Sequence, residues 1–420
     1  MAASKCSFCE RPRNELDVKK LVENQDTGVA ICFGCIKSGA AALEESLRSE
    51  TTKKTERLKT PSEIKAYLDQ FVIGQESSKR AISTAVFEHY RRREAMQQGG
   101  IPFEGDTVEI DKSNILMMGP SGSGKTHIAR AVAKLLNVPF YVGDATRLTQ
   151  AGYVGDDVES LLQGLMAAAD HDIERAQWGI IFLDEIDKIA RKSGRGASGY
   201  RDVSGEGTQQ ALLKIVEGSK VPVPRGMGSR ATSASMGAVD MIDTTNILFI
   251  GAGSFAGIES IVDRRLNSSM GLGFGKEQRR KRDKTSIYQQ VTVEDIEEFG
   301  MIPEIVGRLP VITSTIELTE DEMVRVLIEP KNSIVKQFRA LYSLGKINLQ
   351  FEEGALRAIA RAALKRSTGA RALRAIVTDV LEPYSFDCPD NTNIEMIRIT
   401  EQSVREPGTA VVVTRGVATA

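Results

Sequence analysis

The chain has no long apolar run, no excess of charge of either sign, no internal repeat and no disulfide framework in its 420 residues. Each absence excludes something. Nothing approaches 18 consecutive apolar residues, so no membrane-spanning helix is expected, and Met1-Ala2-Ala3-Ser4-Lys5-Cys6 does not begin a signal peptide. Charged residues make up 26% of the chain, yet the formal net charge is −1, so no global field draws it to nucleic acid or membrane. Of 5 cysteines, four lie in the first 35 residues and Cys388 stands alone, a distribution that does not suggest paired disulfides. A soluble, cytoplasmic protein is the expectation. Its length exceeds one ordinary domain and suggests two or three.

What is present is more specific. Gly119-Pro120-Ser121-Gly122-Ser123-Gly124-Lys125-Thr126 reads GxxxxGKT, after the apolar run Ile115-Leu116-Met117-Met118 and before a helix-period segment. Strand, tight glycine loop and helix N-terminus in that order make a nest of backbone N–H groups for phosphate. Lys125 can reach the β/γ-phosphates and the Thr126 hydroxyl can sit on Mg²⁺. Nucleotide contacts are expected from residues 119–126 and from His127 beside them. Further on, Ile180-Ile181-Phe182-Leu183 looks like a strand buried on both faces, and it ends in Asp184-Glu185. Asp184 can hold the metal's water shell, and Glu185 can orient and deprotonate water beyond the γ-phosphate. ATP hydrolysis by positioning and charge neutralisation is the expected reaction.

Cys6 and Cys9 are separated by two residues, as are Cys32 and Cys35, with 22 residues between the pairs. Two such pairs can complete a tetrahedron of thiolates around one structural Zn²⁺. So short a segment holds little core, and the metal would supply much of its folding free energy. A redox pair is the competing reading, and a zinc knuckle for nucleic acid a further one.

Residues 44–62 are polar and read as a linker. Apolar positions return at helical spacing at Ile64, Leu68, Phe71 and Val72, and strand-like runs at 138–142, 180–183 and 247–250 alternate with helical ones. Residues 191–208 and 219–243 read as long loops. Beyond Leu318 the pattern turns helical, at 323–341 and 355–364, with a strand-like stretch at 395–399 and a tail expected to fray from Pro407. The expected architecture is α/β: a P-loop NTPase with a parallel sheet, a small, mostly helical C-terminal domain and an N-terminal four-Cys module. The boundaries read 1–45 for the zinc module, 46–62 linker, 63–316 large ATPase domain, 317–402 small domain and 403–420 tail.

This order of modules resembles the ClpX family, AAA+ unfoldase subunits of the Clp protease, over nearly the whole chain. The resemblance implies further roles. Val72 and Ile73 in Val72-Ile73-Gly74-Gln75 would lie against the adenine. Tyr153 and Val154 in Gly152-Tyr153-Val154-Gly155 are similar to a pore loop that grips polypeptide, and Arg201-Asp202-Val203-Ser204-Gly205-Glu206-Gly207 resembles a second one. Arg308 would reach a neighbouring subunit's nucleotide and Arg371 would be the sensor arginine of the small domain, so Glu185, Asp184, Lys125, Arg308 and Arg371 form the expected catalytic set. Ser254 is a candidate for the first sensor. Leu272, Gly273 and Phe274 resemble a loop that docks on a ClpP-type peptidase. The implied cofactors are ATP, Mg²⁺ and Zn²⁺, and the implied partners are a homo-oligomer, a hexamer, together with protein substrates, adaptors and the peptidase.

Two departures mark a divergent member. The gap between the cysteine pairs exceeds the family's usual spacing, and Arg225-Gly226-Met227-Gly228-Ser229-Arg230 lacks a compact Arg-Lys-His cluster. The rival class is a nucleic-acid-remodelling ATPase using the zinc module and the basic run at 276–282; near-zero net charge argues against it.

Overall fold

Ile115, Leu116, Met117 and Met118 are all fully buried, as a strand must be when both of its faces are covered. They form the second strand of a five-stranded sheet. The computed structural model describes residues 5–12, 21–23, 29–40, 43, 58–97, 99–103, 106–108, 110–149, 156–191, 205–224, 239–268, 287–366, 369–388 and 393–414. The chain folds as two compact units, Met1–Leu58 and Lys59–Ala420.

In the larger unit the strands β1 (Ile115–Met118), β2 (Phe140–Asp144), β3 (Ile180–Asp184), β4 (Leu248–Gly253) and β5 (Val311–Ser314) run in the order β5-β1-β4-β3-β2. All four pairings are parallel. The strand ends that the order brings side by side, those of β1, β3 and β4, face one crevice at the carboxyl edge, where parallel sheets bind ligands. The strands run further than their apolar runs suggest, through Gly143-Asp144, Asp184 and Gly251-Ala252-Gly253. Polar and small residues there still pair with neighbours, Asp144 opposite Asp184 and Gly253 opposite Met118. Each fully buried Ile, Leu, Phe or Met contributes roughly 1.5–3 kcal/mol.

Helices flank this sheet. α1 (Pro61–Leu68) starts at a Thr60/Glu63 capping box with Pro61 in its first turn, which satisfies the orphan N–H groups. α2 (Glu76–Gln97), α3 (Lys125–Leu136), α4 (Glu206–Glu217) and the short α5 (Pro303–Gly307) follow. The hinge out of β5 is fixed by α2: Gln75, just ahead of it, donates to the Ile316 carbonyl and accepts from the Ile316 N–H, both at 2.8 Å.

The C-terminal part has its own apolar core around Leu327, Ile359, Leu373, Val377, Leu381 and Ile397. It holds α6 (Glu320–Ile328), α7 (Ile334–Leu344), α8 (Glu353–Lys365) and α9 (Arg371–Asp387), with strands β6 (Asn348–Phe351), β7 (Ile394–Ile399) and β8 (Val411–Thr414) in that order in one sheet. The helical run expected across 323–341 is two helices. Pro330 lies at the break, since it has no N–H to donate, and Ser333 caps the restart by accepting from the Lys336 N–H at 3.4 Å. The stretch after Pro407, expected to fray, supplies β8, an antiparallel edge to β7. Strand β6 had too short an alternation to register in the sequence.

In the smaller unit, Leu21–Glu23 and Ala30–Cys32 form a two-stranded antiparallel hairpin that presents Cys32 toward Cys6. Among the described residues its core is the cysteine cluster itself, with Leu21 and Ile31 packed against it.

Candidate nucleotide site and zinc centre

The phosphate loop leaves β1 through three glycines at positive φ, Gly119 at 138°, Gly122 at 76° and Gly124 at 100°. Only glycine adopts such angles freely. At Gly119 there is a second reason: a Cβ would collide with the carbonyl and hydroxyl oxygens of Thr315. The loop is tied down by Ser123, whose hydroxyl shares a 2.6 Å hydrogen bond with that of Thr315, while Thr315 also donates to the Met118 carbonyl at 3.2 Å. Gly124 then opens α3, so the helix N-terminus faces the loop.

Lys125 is 8% exposed and folds back, donating to the carbonyls of Gly119 at 2.7 Å and Pro120 at 2.9 Å. Burial pushes its ammonium down to about 8; Asp184 opposes that shift and Arg371 adds to it. The Thr126 hydroxyl donates to Asp184 at 3.3 Å. Glu185 takes φ +57°, which is rare outside glycine, and its N–H returns to the Asp184 carboxylate at 3.0 Å. The turn that follows, Ile186–Ile189, carries Asp187 into the interior. From the small domain, Arg371 comes to 4.0 Å of Asp184, and the Ala370 N–H donates to the Gly122 carbonyl at 3.3 Å.

These groups line one cavity of about 490 Å³: Ser121, Gly122, Gly124, Lys125, Thr126 and His127 from the loop and α3, Asp184 at the end of β3 with Glu185 just beyond it, and Arg371 from α9. Its volume suits a nucleotide, and a cation at the Thr126–Asp184 pair would meet a hydroxyl and a carboxylate, the hard oxygen ligands Mg²⁺ takes. Burial lowers the His127 imidazole below its usual range, against a hydrogen bond to the Phe71 backbone that raises it. Val72 and Ile73, which follow Phe71, are buried and stand outside the cavity lining. Gly119, Pro120 and Ser123, also expected to touch nucleotide, stand outside the lining too.

Arg308 stands elsewhere. It ends α5 and pairs with Glu217 at 3.0 Å, away from its own chain's cavity. Tyr153, Val154, Leu272, Gly273 and Phe274, the 225–230 loop and residues 201–204 lie outside the described residues.

Several site groups were not singled out in the sequence. Asp187 lines the cavity and accepts from both the N–H and the hydroxyl of Ser254 at 3.1 Å, with Lys188 at 2.9 Å. Ser254, the sensor candidate, thus also lines the cavity, but as half of a pair. The repeated acid in Asp184-Glu185-Ile186-Asp187 was the available signal. Thr315 and Gln75 carried none.

In the smaller unit the four thiol sulfurs of Cys6, Cys9, Cys32 and Cys35 lie within 4.8 Å of one another. Cys6 and Cys35 are 3.9 Å apart, and Cys9 and Cys32 are 3.8 Å apart. A tetrahedral site with Zn–S near 2.3 Å has edges of about 3.8 Å, so the residues fit zinc. The backbone N–H of Cys9, with those of Phe8 and Cys32, holds the Cys6 thiol down to about 6, while burial and the neighbouring sulfurs push Cys35 up to about 12, since four thiolates so close need a cation between them. The Cys32 N–H donates to the Cys6 sulfur at 3.3 Å.

Comparison with known proteins agrees with this layout. Residues 110–312 match the family model described as AAA domain (Cdc48 subfamily). Residues 4–45 match the ClpX C4-type zinc finger, and residues 318–389 the C-terminal, D2-small domain of ClpB protein. The ATP-dependent Clp protease ATP-binding subunit ClpX of Treponema denticola is 45% identical over 386 residues, covering 91% of this chain and 90% of the relative. The protein of the same name from Borrelia duttonii is 42% identical over 400 residues, 95% of this chain and 90% of the relative. The chain belongs to the ClpX family of AAA+ ATP hydrolases.

Proposed function

We propose that this chain is the ATP-driven motor of a protein-unfolding ring, a hexamer that threads polypeptide through its axis and feeds a ClpP-type peptidase. The observation that supports it most is the meeting of Lys125, Thr126, Asp184, Glu185 and Arg371, from three elements and both domains, in one cavity. Lys125 neutralises the β/γ-phosphate oxygens once it leaves the loop carbonyls it now holds. Thr126 and Asp184 would hold Mg²⁺, whose charge offsets that growing on the phosphate oxygens. Glu185 orients the attacking water and takes its proton. Arg371 enters from the small domain, so its position relative to Asp184 reports what fills the cavity.

Arg308 acts on the neighbouring subunit's nucleotide. Its place away from its own cavity, on an exposed corner, suits that role. Tyr153 and Val154 grip the threaded chain, and Leu272, Gly273 and Phe274 dock the peptidase, in keeping with the relatives' name as Clp protease subunits.

The deciding experiment is Glu185→Gln. It should bind ATP as the unmodified chain does and lose turnover; undiminished hydrolysis would remove Glu185 from its role. Tyr153→Ala should hydrolyse ATP but fail to unfold a tagged substrate, and equal unfolding rates would refute the gripping loop. With Phe274→Ala, unfolding should continue while degradation stops.

A further inference from the structure

Helix α4 begins at Gly205-Glu206-Gly207, the end of the second pore-loop motif, and ends at Glu217. At 1.5 Å per residue its 12 residues span about 18 Å. Both parts of this rod touch the segment that carries Arg308. Near its start, Gln209 is fully buried. It donates to the carbonyls of Ile189 at 2.8 Å and Gly300 at 3.3 Å, and it accepts from the Ile302 N–H at 2.8 Å. Ile302 is the residue that caps α5, and Ile189 closes the turn after Asp184-Glu185. At its far end Glu217 Oε1 accepts from Arg308 Nε at 3.1 Å and Nη2 at 3.0 Å. The same end is anchored by Lys112, which donates to the Val216 carbonyl at 3.0 Å and the Thr244 carbonyl at 2.6 Å. The Arg308 backbone is fixed in turn, because its carbonyl accepts from Asn114 at 3.0 Å.

Both contacts to Glu217 use one edge of the guanidinium, the Nε and Nη2 edge. The side chain is 52% exposed, so its other terminal nitrogen can face a partner while Glu217 keeps its grip. A planar fork held along one edge presents the opposite edge in a fixed direction, which a flexible exposed arginine does not.

We propose that Glu217 is the positioning residue for Arg308. It aims the guanidinium at a phosphate supplied by another copy of this chain. The inference rests on the trans role proposed above for Arg308. An isolated exposed pair would add little to stability, so its value lies in orientation. A displaced catalytic group costs on the order of tenfold to a hundredfold in rate.

The experiment compares steady-state kcat and KM for ATP in full-length assemblies of the unmodified chain, Glu217→Ala, Glu217→Gln, Arg308→Ala and the Glu217→Ala/Arg308→Ala pair. Single-turnover hydrolysis extends the range for the slow variants, and native mass checks that each assembles. Both side chains are exposed, so folding is not at stake. Glu217→Ala should lower kcat roughly tenfold or more with KM within about twofold, because the nucleotide's own cavity is untouched. Glu217→Gln keeps an acceptor oxygen at the same reach and should recover part of the loss. The paired variant should be no slower than Arg308→Ala alone, since Glu217 has nothing left to position. Full kcat in Glu217→Ala alongside an impaired Arg308→Ala would overturn the positioning role and leave the trans role standing. So would a paired variant slowed by both factors multiplied. Full turnover in Arg308→Ala would bring down the trans role, and the positioning role with it.

Discussion

ATP binding is expected to take up a proton near pH 8, and the proton goes to Lys125. Burial lowers this ammonium from the ordinary 10.5 to about 8, with the Asp184 carboxylate opposing and Arg371 reinforcing the shift. Phosphate reverses the balance, because its charge against the ammonium restores the protonated form. A group that titrates at about 8 before phosphate binds and well above that afterwards takes up about half a proton at pH 8. The same arithmetic gives about 0.1 at pH 7 and about 0.9 at pH 9. Binding therefore strengthens below the lower pKa and weakens as pH rises through it, so ATP affinity should fall about tenfold from pH 7 to 9. The assay is calorimetric titration of Glu185→Gln with ATP in two buffers of different ionisation heat. The nucleotide's own last ionisation is complete by pH 8 and drops out there. The slope of observed heat against buffer heat gives the proton count. A slope of zero at pH 8, or net release, would refute the argument that burial has tuned Lys125.

Other perturbations follow from the same geometry. Gly119→Ala places a methyl group against Thr315 at a φ of 138°, and equilibrium binding should show nucleotide affinity falling by at least tenfold, about 1.4 kcal/mol, with the rest of the fold intact. Asp187→Ala strips the Ser254 N–H and hydroxyl of their acceptor at a buried point. Denaturant unfolding should register a loss of about 1–3 kcal/mol, and turnover should slow at unchanged assembly. Zinc removal should unfold Met1–Leu58 and leave ATP binding by Lys59–Ala420 in place; a dye titration should count one zinc per chain, and none after Cys32→Ala.

What could be read from the sequence, and what could not, divides along a physical line. The GxxxxGKT loop, the Asp184-Glu185 strand end and the two cysteine pairs were legible because each is set within a few consecutive residues. Glycine supplies the backbone angles, an apolar run supplies the buried strand, and two intervening residues set the bite of a cysteine pair. The strand ends were read short because Gly143, Asp144 and Gly253 are held by neighbouring strands and have little propensity of their own. The missing contacts join residues far apart in the chain. Ser123 meets Thr315 across 192 positions, Gln75 meets Ile316 across 241, Asp187 meets Ser254 across 67 and Glu217 meets Arg308 across 91. A single polar residue in each element carries no spacing that a window could detect.

Two of these contacts, with a third from the small domain, do more than complete the fold. Thr315 supports the phosphate loop from the last residues of the large domain, and Gln75 grips the next residue, Ile316, where the chain leaves for the small domain. From the other side, the Ala370 N–H, beside Arg371, bonds to Gly122 in the same loop. The phosphate loop is thus touched both where the chain leaves the large domain and from within the small one. A ligand that shifts Ser123 or Gly122 by a few tenths of an ångström must strain the bond to Thr315, the bond to Ala370, or both. Closely packed contacts of this kind change between discrete arrangements and do not yield by degrees. The phosphate loop is therefore a shared part of the joint, bonded to the strand end that leads out of the large domain and to the start of α9 in the small one.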